Sequence, residues 1–324
     1  MQADFDIVIV AQAGRLEAEA LLLAASLRRF SPGFAGRLVV AEPQPGPLWP
    51  DDPRLTPEGR DMLVELGATL LPFESRRFGA AYPHGNKIEA LAAMPPRPFL
   101  FLDSDTLVTA EIGALPLERP SASMRREATW PVPRPGWPGY EAVWRALHER
   151  FGLEIEPTLD PARSAEDWQR YLYFNAGWVC GPDARAFGAR WGEWACAVLD
   201  DPPPALDGQV LHPWLDQAVL PLVVAAFGGG RPGAGLSGLD GPATCHYRTF
   251  PLLYARESDA VVAALEEVAA PNQLKRLLKR HEPILRMVYQ GRGRRVRALF
   301  DRAALPAAEK EIRNILRSHG FWMR

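Results

Sequence analysis

Asp103 and Asp105 stand two residues apart, directly after the apolar run Phe99-Leu100-Phe101-Leu102. In extended chain, side chains at i and i+2 leave the same face, so two carboxylates at this spacing turn toward one point. Such a pair suits a hard divalent cation that also holds phosphate oxygens. The pattern alone is cheap: at about 5% Asp, a chain of this length contains about one copy by chance. Asp4-Phe5-Asp6 is a second copy. Position separates the two. Asp103 and Asp105 lie at the carboxyl end of a buried strand, where open α/β sheets bind ligands. Asp4 and Asp6 precede their strand and read as a solvated terminus. The bland alternative for Asp103 and Asp105 is a strand-end turn.

The elements that would position this pair follow from periodicity. Ile7-Val8-Ile9-Val10, Leu38-Val39-Val40-Ala41, Ala68 to Pro72 and Pro98 to Leu102 are short apolar or β-branched runs that predict strands. Between them, Leu16, Ala20, Leu23, Leu27 and Phe30 recur at helical spacing. Thr56 and Pro57 are an N-cap and first-position pair for a helix to about Leu66, and Asn86 to Met94 is helical. Strands alternating with helices predict an α/β fold, a mostly parallel sheet covered on both faces. Further along, the sequence predicts a helix near Tyr140 to Phe151, a strand at Tyr171 to Cys180, helices at Pro182 to Leu199 and Trp214 to Phe227, a glycine-rich loop from Gly228 to Gly241 and a strand from Thr244. From Ser258 onward the reading is helical, which places a boundary near residue 257: a domain over 1–257 and a C-terminal helical extension over 258–324.

Four further segments stand in a set order with the first. Phe101-Leu102-Asp103-Ser104-Asp105-Thr106-Leu107-Val108, then Phe174-Asn175-Ala176-Gly177, then Asp216-Gln217, then His246-Tyr247 resemble the retaining GT-A glycosyltransferases, in particular family 8 and its relatives. Asn86-Lys87-Ile88-Glu89-Ala90-Leu91 looks like the helix preceding the D-x-D strand in such proteins. The resemblance spans about residues 5 to 250. It implies a GT-A (Rossmann-like) fold and transfer of a hexose from a nucleotide diphosphate sugar, a UDP-sugar by expectation, to a carbohydrate or other hydroxylated acceptor with retention. It also implies that Asp103, Asp105 and His246 bind Mn2+ (or Mg2+). Chemistry agrees independently, since an imidazole ligand favours Mn2+ over Mg2+. Taken alone, His246 reads equally well as a structural histidine.

The resemblance assigns Asn175 and Gly177 to the acceptor and donor-sugar wall, and Asp216 and Gln217 to the donor sugar near its anomeric carbon. Asp216 would be a nucleophile or the stabiliser of an oxocarbenium-like species. Locally, Asn-Ala-Gly is also an ordinary turn, and Asp216 following Pro213 is also what a helix start favours. Lys87 and Ser104 are expected beside the donor. Ala11, Gln12 and Ala13, after the first strand, are expected to cradle the nucleoside through backbone groups. Two departures bear on the nucleotide. Ala11-Gln12-Ala13 stands where the family has an Asp for the base. Tyr247-Arg248-Thr249-Phe250-Pro251 replaces a Gly-x-x-Lys-Pro segment, leaving Arg248 or Arg256 to meet the diphosphate. Eight of ten Trp lie between Trp130 and Trp214. Trp144, Trp168, Trp191 and Trp194 read as core, and Trp137 and Trp178 as acceptor-site candidates.

Composition narrows the alternatives. At 324 residues and 47% hydrophobic content the chain buries a large core. No apolar run reaches the length of a membrane span and the start lacks a signal-peptide pattern, so a cytoplasmic location is expected. Three widely spaced cysteines exclude a disulfide framework and a CxxC metal site, and read as buried small hydrophobes. No G-x-G-x-x-G or G-K-[ST] pattern is present, which counts against dinucleotide dehydrogenases and P-loop NTPases. A nucleotidyltransferase of similar architecture would need a glycine-rich basic loop after the first strand, where only Gly14-Arg15 stands; a non-catalytic nucleotide-sugar binder is the other rival. No nucleic-acid partner is expected. Residues 271–324 hold fourteen Lys plus Arg against four Asp plus Glu, a charge of +10 on a body of −12. Such a tail suits peripheral contact with anionic lipid at the inner membrane face or a packed helical cap with a solvated basic face.

Overall fold

The computed structural model describes residues 5–125 and 130–323. The chain alternates strand and helix through β1 (Asp6–Val10), α1 (Arg15–Phe30), β2 (Arg37–Pro43), α2 (Pro57–Glu65), β3 (Ala68–Phe73), α3 (Asn86–Ala93) and β4 (Phe99–Leu102). Then come β5 (Thr106–Val108), β6 (Ser121–Ala122), α4 (Tyr140–Arg150), β7 (Trp178–Gly181), α5 (Ala184–Asp200), α6 (Leu215–Ala226), β8 (Thr244–His246) and α7 (Phe250–Arg256). The remainder is helical: α8 (Asp259–Val268), α9 (Asn272–Leu278), α10 (Glu282–Ile284) running into a π turn over Leu285–Tyr289, α11 (Arg292–Arg297) and α12 (Glu309–Ser318).

Among the described residues the main sheet has six strands in the order β3-β2-β1-β4-β7-β6. The first four are mutually parallel; β7 runs antiparallel to both β4 and β6. The expected α/β architecture, a mixed and mostly parallel sheet with helices on both faces, is therefore present. Alternation along the strands builds two cores. Ile7, Ile9, Leu38, Val40, Leu100 and Leu102 face α1 and the C-terminal helices. Val8, Val10, Val39, Ala41, Phe99 and Phe101 face the other way, into the layer containing Leu91, Trp144, Trp191 and Val219.

The chain past residue 257 shares the first core: Leu265, Leu277, Leu278, Ile284, Val296 and Leu316 are buried there beside Leu21 and Leu23 of α1. Its basic residues are largely engaged by the protein itself. Lys275 and Lys279 lie over the Tyr289 ring, Arg313 and Arg317 over Trp322, and Arg297 pairs with Asp259.

Several local readings change. The strand expected over 171–180 is confined to Trp178–Gly181, because Trp168–Arg170 form a 3-10 turn and Tyr171 to Phe174 are buried without sheet pairing. The glycine-rich loop contains a 3-10 segment, Ala234–Asp240. Asp6 is not solvated: it is fully buried, with both oxygens taken by Arg37 and with Arg97 at 3.4 Å, while Asp4 lies outside the described residues. Trp178 is 2% exposed and its strand register sets it opposite Leu102, so it is a core residue and no acceptor contact. Trp137 is half-buried with its ring edge-on to Tyr140. Cys180 and Cys245 are buried, whereas Cys196 is partly exposed.

Candidate active site

The site is assembled by a short strand pair rather than by the main sheet. After β4 the chain passes through Asp103-Ser104-Asp105 into β5, and β8 returns antiparallel with Thr106 opposite His246. The amide of Tyr247 closes the pair on the Asp105 carbonyl at 3.0 Å. Backbone pairing thus delivers an imidazole to two carboxylates more than 140 residues earlier in the chain. His246 Nε2 lies 3.1 Å from Asp105 Oδ1 and 3.8 Å from Asp103 Oδ2. Single donor atoms of the three residues all fall within 4.8 Å of one another, the only such group of three His, Cys, Asp or Glu among the described residues.

These residues fit a divalent cation. Ligands about 2.1 Å from a shared ion and at right angles to each other stand about 3.0 Å apart, close to the His246–Asp105 separation. Gly177 supplies a second observation. A Cβ there would lie 2.3 Å from His246 Nδ1 and 2.8 Å from its Cε1, so only glycine leaves the imidazole room to stand beside the carboxylates. Gly177 therefore serves the histidine, and its carbonyl also accepts the Asp103 amide at 2.9 Å.

Lys87, from the first turn of α3, is 6% exposed. Its ammonium donates to Asp103 Oδ1 at 2.8 Å and to the Ala176 carbonyl at 3.1 Å, and stands 3.8 Å from Asp216 Oδ2. Burial alone would lower its pKa, but Asp103 and Asp216 outweigh that and hold it above its ordinary value. Asp103 accordingly divides its oxygens, Oδ1 to Lys87 and Oδ2 toward His246. Asp105 carries the opposing balance: burial pushes it up, yet His246, then Arg15 and Lys87, bring it below the usual carboxylate range.

Asp216 is 1% exposed at the start of α6. Tyr82 donates to its Oδ1 at 2.7 Å, its amide donates back to the Tyr82 hydroxyl at 3.0 Å, and its carbonyl accepts the Trp191 indole N–H at 3.1 Å. Gln217 is more exposed, its Oε1 accepting the Tyr173 hydroxyl at 2.6 Å. Asn175 fixes the local turn, its Oδ1 accepting the Gly177 amide at 2.7 Å and its Nδ2 donating to the Arg125 carbonyl, and its carboxamide keeps a second N–H and a second lone pair beyond these two bonds.

The other expected contacts divide. Ser104 turns inward and donates to Glu19 at 3.2 Å, as alternation after Asp103 requires. The amides of Ala11 and Ala13 bond the carbonyls of Ala41 and Pro53, so these two N–H groups are not offered to a nucleoside; Gln12 keeps a buried amide oxygen with no protein partner. Arg248 sits at φ 64° and pairs with Glu309 of α12 at 3.4 Å, and Arg256 meets the same carboxylate at 2.6 Å.

Sequence reasoning missed Tyr82, Glu19 and Glu309. Glu19 is 1% exposed on α1, bonded by Arg15 at 3.0 Å and by Ser104; burial and the Asp105 charge push its carboxyl up to about 8. Glu17 and Glu19, two residues apart and just ahead of the apolar run Ala20 to Ala25, were the available signal, since acids at that spacing point to opposite sides of a helix and one of them must face inward, where such residues are rarely buried unless paired.

Comparison with known proteins adds identity. The description of a Rhodobacterales glycosyltransferase domain matches residues 7–228. No curated protein matches the chain. Among solved structures it is similar to the galactosyltransferase LgtC in complex with donor and acceptor sugar analogs, at 14% identity and TM-score 0.47, covering 85% of this chain and 100% of that one. It is also similar to the glycosyltransferase GlyE of Streptococcus pneumoniae TIGR4, at 12% identity and TM-score 0.43, covering 86% and 63%. The matched span runs from the first strand through α6, and so contains the D-x-D carboxylates, Lys87, Asn175 and Asp216: the chain belongs to the Rhodobacterales glycosyltransferase family.

Proposed function

We propose that this glycosyltransferase moves a hexosyl group from a nucleoside diphosphate sugar to a hydroxylated acceptor, with retention, using Mn2+ held by Asp103, Asp105 and His246. The observation that carries the reading is the convergence of two carboxylates and one imidazole at the carboxyl edge of the sheet, with room for the ring kept by Gly177. When bound, the cation would act as a Lewis acid on the leaving diphosphate.

The protein's own residues have separable tasks. Asp103 and Asp105 offer carboxylate oxygens that are already oriented, one by Lys87 and the other by His246, so little reorganisation is required on binding. Lys87 places a buried positive charge between the cation site and α6. Asp216 has one oxygen bonded to Tyr82 and the other facing Lys87, and is closed to solvent. That arrangement supports an electrostatic role for Asp216 over a nucleophilic one, and leaves Gln217, the more exposed of the pair, to meet the sugar. Retention follows the resemblance to family 8. The engaged amides of the β1 loop and its single glycine, Gly14, give no support to triphosphate binding by a nucleotidyltransferase.

For the basic extension we favour a packed cap over a lipid-binding surface, because its apolar face lies in the core and several of its cations, Lys275, Lys279, Arg297, Arg313 and Arg317 among them, have partners within the protein. No helix among the described residues is long and apolar enough to cross a membrane. The deciding experiment for the function is a thermal-shift screen of nucleotide sugars with and without Mn2+, followed by product analysis of any hit. Stabilisation by one donor only when Mn2+ is present is the expected result. Equal stabilisation with and without Mn2+, or none by any donor, would remove the metal-dependent reading.

A further inference from the structure

Lys87 is shared unequally between two carboxylates. Its ammonium is 2.8 Å from Asp103 Oδ1 but 3.8 Å from Asp216 Oδ2, a gap too long for a hydrogen bond. Asp216 tolerates that gap because its other oxygen takes the Tyr82 hydroxyl at 2.7 Å. Tyr82 is fixed in turn. It is 8% exposed, its ring stands edge-on to Phe78 at 5.6 Å, and its oxygen is also 3.1 Å from the Pro213 carbonyl and receives the Asp216 amide. One hydroxyl thus satisfies the side chain and the backbone of the same buried residue. Among the described residues, Tyr82 and Lys87 meet the Asp216 carboxylate and the Trp191 indole N–H meets its carbonyl, so Lys87 is the one cation in this set.

We propose that Tyr82 is a positioning residue: by satisfying Asp216 it keeps the Lys87 ammonium on Asp103, and so sets the charge that the metal carboxylate presents to a cation. This rests on the reading of Asp103 as a metal ligand. A buried carboxylate oxygen that loses its donor must find another partner or bear the desolvation cost. The nearest available donor is Lys87, which need close only a short distance. Moving the ammonium from Asp103 toward Asp216 makes Asp103 the more anionic ligand, while withdrawing the positive charge from its place beside the donor site. Metal affinity and turnover then move in opposite directions, a pattern that simple loosening of the site would not produce. Asp216→Asn makes the converse change: the pull on Lys87 disappears, the ammonium rests wholly on Asp103, and metal affinity falls.

The test uses the full chain, with Mn2+ alone as the probe, its free concentration read by electron paramagnetic resonance. Tyr82→Phe is expected to bind Mn2+ about threefold more tightly and Asp216→Asn about threefold more weakly. The double variant should equal Asp216→Asn, because the hydroxyl acts only through that carboxylate. With a donor in hand, Tyr82→Phe should lower kcat about tenfold with little change in KM. Shifts of Mn2+ affinity in the same direction for the two single variants, or no shift in Tyr82→Phe, overturn the assignment. Should Tyr82→Phe unfold, Asp216→Asn alone still decides it, since unchanged or tighter Mn2+ binding contradicts the sharing of Lys87. Wild-type chain that binds no Mn2+ overturns both this and the metal-dependent function. Opposed Mn2+ shifts without turnover of any nucleotide sugar remove the donor reading and leave Tyr82 in its role.

Discussion

Gly177→Ala isolates the one steric condition on which the cation site depends. The added Cβ would stand 2.3 Å from His246 Nδ1, 2.8 Å from Cε1 and 3.0 Å from Asn175 Oδ1. Ordinary contact needs about 3.5 Å, so the ring or the turn must retreat by roughly 1 Å. Gly177 does not occupy the left-handed region, so no backbone strain accompanies the change. Overpacking of this kind costs about 1–3 kcal/mol, which in a chain of this size lowers the metal-free Tm by a few degrees, at about 2–4 °C per kcal/mol. A metal ligand tolerates a displacement of only about 0.2 Å, so His246 would be lost to the cation and Mn2+ affinity should fall at least about tenfold, roughly 1.4 kcal/mol. Isothermal titration with Mn2+ and a thermal melt without it give the two numbers. In a His246→Ala background the two imidazole contacts are gone and only the 3.0 Å approach to Asn175 Oδ1 remains, and adding Gly177→Ala should then change Mn2+ binding by less than about twofold, coupled sites being non-additive. Unchanged Mn2+ binding by the single variant, with its melt also unchanged, would show that His246 is not a ligand in the arrangement described.

Other outcomes follow from the same structure. Gly192→Ala, in the interior of α5 where a Cβ meets only Ile88 Cγ2 at 3.5 Å, should raise stability by about 0.5–1 kcal/mol in denaturant titration. Thr56→Ala removes the acceptor of the Gly59 amide and a donor to buried Glu17, and should cost about 1–2 kcal/mol by the same assay. Lys87→Met should leave Asp103 and Asp216 facing each other without their shared cation, so the metal-free protein should melt lower while Mn2+ restores more of its Tm than in wild type. His281 has its pKa lowered to about 4, by burial first and then by Arg15. The unfolded chain therefore binds a proton that the fold excludes between about pH 6.5 and the folded value. Stability should fall as pH drops through that window and level off below it. His281→Gln should flatten the dependence, by less than about 1 kcal/mol since the ring is partly exposed and screened.

Much of the architecture is legible in the sequence because it rests on local periodicity. Buried parallel strands such as Ile7 to Val10 and Phe99 to Leu102 are short apolar runs, and helices such as α2 announce themselves by Thr56 and Pro57, whose capping is realised through the Thr56 hydroxyl. Tyr171 to Phe174 misled for a physical reason: four apolar residues packed in a core resemble a strand whether or not their backbone is paired. Asp6 misled because nothing local shows that Arg37 and Arg97 converge on it.

By itself the sequence determined which residue types were available to chemistry and on which elements they lie: Asp103 and Asp105 after a strand, Lys87 on a helix, Asp216 at a helix start, His246 on a late strand. Only the tertiary structure decided how they meet. The pairing of β5 with β8 brings His246 to the carboxylates, Gly177 clears its space, and Lys87 lies between Asp103 and Asp216 with Tyr82 behind. The reason is range: periodicity and capping act over a few residues, whereas a cation site depends on distances of a few ångströms between segments separated by more than a hundred.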